Sequence, residues 1–153
     1  MKSVLRGMAP LVVAGLLAAC GSTGPEGPFT LVFAGDASFH AYAGGQQVQV
    51  AVVLEPQDTA AADSVVARDS SLVSALADPS FSFTFPSLLE AGSVYRVDYW
   101  LDVNGNHRCD APPTDEAWRV ALGRVTGAVS HMESYDPDTM ADVCATFAPD
   151  STG

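Results

Sequence analysis

Oxygen-bearing side chains recur at Asp102, Asn104, Asn106 and Asp110. At this spacing a tightly turning backbone can aim all four at one centre. Such a cage suits calcium, which takes six to eight hard oxygen ligands in flexible geometry. Asp115 and Glu116 follow closely, so Asp102, Asp110, Asp115 and Glu116 crowd four carboxylates into one region. Like charges held close together raise each other's proton affinity unless a cation intervenes, and a divalent ion relieves that. With three carboxylates in a partly open site, the expected affinity lies toward the weak extracellular range, about 0.1 to 1 mM. The alternative is a solvated Asn104-Gly105 turn between two strands, because Asn-Gly is itself a strong hairpin signal. A carboxylate pair, Asp102 with Asp110 or Glu116, is also what a small hydrolase would have to use. No G-x-S-x-G, H-E-x-x-H, phosphate loop or Ser-His-Asp cluster is present, so no catalytic residues are expected.

The N-terminus places the chain. Lys2 and Arg6 precede an apolar run over residues 8–19, which fits a signal h-region and is short for a bilayer span. The run ends in Leu17, Ala18, Ala19 and Cys20, and this L-A-A-C ending resembles the lipobox of bacterial lipoproteins. The resemblance implies a diacylglycerol on Cys20, cleavage of residues 1–19 and anchoring without a membrane span. Gly21 stands where an Asp commonly marks inner-membrane retention, which favours the outer membrane of the cell envelope. An ordinary secretory signal or an N-terminal transmembrane anchor is the alternative. Residues 21–28, GSTGPEGP, form a flexible tether that extends to roughly 30 Å at about 3.5 Å per residue.

With Cys20 assigned to lipid, Cys109 and Cys144 remain as a pair in an oxidising compartment. A disulfide between them closes roughly 35 residues and stabilises by about 3 to 4 kcal/mol in the chain-entropy model. Two free thiols are the alternative. A periplasmic zinc or copper site built from His40, His107, Cys109 and His131 is a further possibility, although these histidines lie singly and lack paired ligand spacing.

The elements that must position the acidic loop follow from alternation. Tyr95, Val97, Tyr99 and Leu101 share one face of a core strand, while Arg96, Asp98, Trp100 and Asp102 share the other. Trp100 is therefore expected to be exposed or under a loop, and Trp118 to be inside. Alternation also predicts strands over residues 29–34, 47–54, 64–68, 81–85 and 118–122, with a last strand over residues 143–147. Residues 70–77 read as strand or as one or two helical turns, Pro86 is expected to stop the fourth strand, and Asp136, Pro137 and Asp138 mark a turn. Seven or so strands without a long helix predict an all-β, antiparallel two-sheet sandwich over residues 29–149.

Two resemblances attach to these elements. The order FSFTF, a Leu-rich turn with Ala91 and Gly92, then YRVDYWLD is similar to transthyretin-like modules of carboxypeptidase-regulatory and B-repeat type, within the broader Ig-like class. It covers about thirty residues, implies a sandwich and brings no catalytic residue. The run DVNGNHRCD resembles calcium loops of the D-x-N-x-N/D type. That implies Asp102, Asn104 and Asn106 as side-chain ligands, Arg108 through its backbone carbonyl, and Asp110 completing or water-bridging the site. His107 stands where the pattern has glycine, and Pro113 where it has glutamate, so Asp115 or Glu116 must supply the bidentate carboxylate.

At 153 residues the chain has room for one domain, and 48% hydrophobic against 16% charged residues is enough for a packed core. The formal charge of −11 becomes about −13 when Lys2 and Arg6 are removed. Such a surface repels nucleic acid and anionic lipid and attracts cations. The expected partners are the membrane through the lipid anchor, and an envelope protein or a saccharide. The expected function is a non-enzymatic binding or structural module.

Overall fold

A computed structural model describes residues 28–39, 46–58, 60–73 and 80–149. Among these residues seven strands form two sheets: β1 (Phe29–Gly35), β2 (Gln46–Glu55), β3 (Ser64–Val73), β4 (Phe81–Leu89), β5 (Val94–Leu101), β6 (Glu116–Arg124) and β7 (Val129–Glu133). One sheet runs β4-β1-β7 and the other β3-β2-β5-β6. The chain is thus an all-β two-sheet sandwich. Its pairings are antiparallel except that β7 lies parallel to β1. The signal segment, Cys20, the tether and His40 lie outside the described residues. Among those described, no helix is long and apolar enough to cross a membrane.

The core forms where the apolar phases of the two sheets meet. Leu31 and Phe33 of β1, Phe81, Phe83 and Phe85 of β4, Val48, Val50 and Val52 of β2, and Tyr95, Val97, Tyr99 and Leu101 of β5 are all buried in one cluster with Trp118. Tyr99 stacks on Trp118 at 5.2 Å, and Phe39 meets Phe81 edge-on at 5.1 Å. Gly35 is required at its place because a Cβ there would run into the Phe81 ring.

Three local expectations are corrected. Residues 143–147 are not a strand: α1 (Cys144–Phe147) is a single helical turn, and the seventh strand is β7, whose weak, half-exposed alternation gives little signal. Pro86 does not end β4, which continues to Leu89. That strand is a sheet edge, where a residue without an N–H is tolerated, and the register jumps there so that Phe29 faces Leu89 while Leu31 faces Phe85. Residues 64–73 form one strand, with a bulge where Val52 faces Ala67 and Val53 faces Val65.

Buried on both faces, β5 is central in the molecule as well as in its sheet. Its second face carries a smaller core in which Trp100, Ala117 and Val143 are buried beneath Ala141, Cys109 and Phe147. Trp100 is therefore roofed by a C-terminal strap, residues 141–148, and Phe147 meets its ring edge-on at 6.1 Å. The strap is tied to the sheet by the Ala141 amide, which donates to the Ala117 carbonyl at 2.9 Å.

Candidate functional site

At the end of β5 the Asp102 amide still donates to the Gln47 carbonyl at 2.9 Å, so the first residue of the acidic loop is held by the sheet. Its carboxylate is 2% exposed and accepts from the amides of Asn106 at 3.1 Å and His107 at 2.9 Å. Asn104 Oδ1 also accepts from the Asn106 amide at 2.9 Å, and Asn106 Oδ1 accepts from the Arg108 amide at 2.7 Å. Asp110 Oδ2 accepts from Asn104 Nδ2 at 2.9 Å and Asn106 Nδ2 at 2.6 Å. From the far end of the loop Asp115, fully buried, accepts from the Val103 and Asp110 amides at 3.0 Å each. Asp102, Asn104, Asn106, Asp110 and Asp115 are thus brought together, with the Arg108 backbone on the same turn.

Glu116 is not brought there. As the first residue of β6 it pairs with Leu101, which puts it on the inter-sheet face, where it accepts from the Tyr135 hydroxyl at 3.1 Å. Asp115, one residue earlier, takes the opposite face, the one shared by Trp100 and Ala117.

The turn needs left-handed backbone at Gly105, with φ of 70°, and at His107, with φ of 59°. His107 therefore occupies with a side chain the conformation that the calcium-loop pattern gives to glycine. Histidine is among the residues enriched there, although a Cβ makes it costly. The side chain is 78% exposed and its Nδ1 lies 3.5 Å from Asp102 Oδ2.

Two carboxyls of the loop are perturbed in opposite directions. The amides of Asn104 and Asn106, helped by the Arg108 charge, hold Asp110 below the usual carboxylate range. Burial pushes Asp115 above it, the Asp102 charge adds to this, and three backbone N–H bonds oppose it.

The donor set is all hard oxygen and fits calcium in type: three carboxylates, two amide oxygens and a backbone carbonyl. It does not fit zinc or copper. Cys109 has no thiol to give, and His131, on β7 of the other sheet, is bonded to Glu133 and stacked on Phe33. Among the described residues no group of three or more His, Cys, Asp or Glu side chains is placed to hold a metal ion, so any cation here depends on Asn104 and Asn106 as well. Both amides now turn their nitrogens to Asp110 and their oxygens to backbone N–H groups.

Cys109 and Cys144 form a disulfide with Cα atoms 5.3 Å apart. It ties the acidic loop to α1 and so to the strap over Trp100, rather than to a last strand. Beneath the strap lies a charged cluster that sequence alternation did not identify as a unit. Asp98, fully buried, accepts from Arg119 Nε at 2.8 Å and Nη2 at 2.9 Å, from Thr146 Oγ1 at 2.6 Å and from Arg96 Nε at 3.3 Å. Burial drives its pKa up, but the bonds from Arg119 and Thr146 and the two guanidinium charges outweigh burial and hold it below the usual range. Arg96 reaches on to Asp63 at 2.5 Å and Glu55 at 3.2 Å. The available signal was two opposite charges, Arg96 and Asp98, on the strand face that also carries Trp100. Compared with known proteins, the chain matches no family model, no curated protein and no solved structure.

Proposed function

We propose that the chain is a lipid-anchored module of the bacterial cell envelope, a non-enzymatic binding or structural β-sandwich whose loop over residues 102–115 is stabilised by calcium. The carrying observation is the convergence of Asp102, Asn104, Asn106, Asp110 and Asp115 on a turn with left-handed residues at 105 and 107. The disulfide suits an oxidising compartment. The lipobox-like Cys20 supports anchoring, and Gly21 after it supports the outer membrane. A hydrolase gains no support from Asp102, whose two oxygens each accept a backbone N–H.

The test is calorimetric titration of the protein with calcium, zinc and copper. Calcium is expected to bind with a Kd of about 0.1 to 1 mM, and Asp102→Ala to weaken it at least tenfold. Copper binding at about 1 μM that disappears in His107→Ala replaces calcium by a transition metal. Absence of any metal response together with turnover of an ester or glycoside replaces the module by an enzyme.

A further inference from the structure

A groove of about 800 Å³ lies on the outer face of the four-stranded sheet, between β3 and the strap, within the size range of small-molecule sites. Of the five arginines beyond residue 20, three line it: Arg68, Arg96 and Arg119. The register explains the gathering. Arg68, Ala51, Asp98 and Arg119 fall in one row across β3, β2, β5 and β6, and Arg96 lies in the next row beside Val53.

The three guanidinium groups are held in place without being used up. Asp98 grips Nε and Nη2 of Arg119, while Asp98, Glu55 and Asp63 take Nε and Nη1 of Arg96. Arg68 donates Nη2 to the Thr146 carbonyl at 2.7 Å and has no ion pair among the described residues. Among the described residues, Nη1 of Arg68, Nη1 of Arg119 and Nη2 of Arg96 are therefore left to donate, from side chains whose orientation is already set. The groove is mainly polar, with apolar side chains along its β3 side. Val65 and Val66, each 38% exposed, are two of the four large hydrophobic side chains left exposed among the described residues, and Ala145 and Ala148 also line the groove.

We propose that this groove binds a small amphiphilic carboxylate, its head on Arg68 and Arg119 and its hydrocarbon tail along Val65 and Val66. One negative charge is favoured over several. The net charge of −11 repels a polyanion at long range, whereas a single carboxylate on the arginines is governed by contacts well inside the screening length of about 8 to 10 Å. The site shares no side chain with the acidic loop.

The probe is octanoate, titrated by calorimetry into the full chain carrying Cys20→Ser, so that no acyl anchor competes, with a chelator present so that calcium plays no part. Octanoate is expected to bind with a Kd of about 0.1 mM, with acetate and octanol each at least about tenfold weaker. Arg68→Gln, at an exposed position outside the Asp98 cluster, is expected to weaken octanoate about tenfold while leaving the melting temperature within about 2 °C. The proposal is overturned if octanoate fails to bind up to about 5 mM. Equal binding of octanol, or octanoate binding unaltered by Arg68→Gln, overturns it as well, since either shows apolar adsorption alone.

Discussion

Asp98→Asn removes the charge at the centre of the outer-face cluster with almost no change of shape. The wild-type carboxylate is fully buried and accepts four hydrogen bonds, three of them from guanidinium N–H groups. Losing one partner of a buried ion pair typically costs about 3 to 5 kcal/mol. Here the loss is softened, because Arg96 keeps Asp63 and Glu55, and the Arg119 side chain is 44% exposed and can rehydrate. We therefore expect about 2 to 3 kcal/mol, a lowering of the urea midpoint by about 1 to 2 M. The pH dependence carries a sign. Asp98 lies below the ordinary range when folded, so its contribution is fully present above the unfolded value near 3.9 and is lost as pH falls through the folded value. The gap between wild type and variant should be widest at neutral pH and should begin to narrow below about pH 4, closing once pH has fallen past the folded value. A variant within about 0.5 kcal/mol of wild type at pH 7, or a gap that persists unchanged in acid, refutes the reasoning.

Replacing both Cys109 and Cys144 by Ser should cost about 4 kcal/mol for a separation of 35 residues, read from denaturant melts. It should also loosen the strap over Trp100, shifting tryptophan emission to the red. His107→Gly should leave stability equal or higher, whereas His107→Val should cost about 1 to 2 kcal/mol at a φ of 59°, as thermal melts will show. Cys20→Ser should move the protein from the membrane fraction to the soluble fraction and remove the acyl mass from the N-terminal peptide.

Strict alternation was legible wherever one face of a strand met the inter-sheet core. Val48, Val50 and Val52, or Phe81, Phe83 and Phe85, have no other way to leave water together. The five residues 143–147 also alternate, yet they form a helical turn, because a period read over so short a run cannot outweigh a disulfide at Cys144 and the burial of Val143 beside Trp100. Pro86 read as a stop, because sequence does not say which strand is an edge.

Local pattern by itself determined the sandwich and the acidic turn between the fifth and sixth strands, since each rests on spacing along the chain, while the pairing of Cys109 with Cys144 followed from setting Cys20 aside for lipid. Tertiary structure alone decided which carboxylates meet. The β5–β6 register sends Asp115 toward Asp102 and turns Glu116 to the opposite face. It alone decided, too, that the polar face of β5 is buried. Burial depends on what lies across a strand, and the strap that covers Asp98 and Trp100 comes from some 45 residues further along the chain.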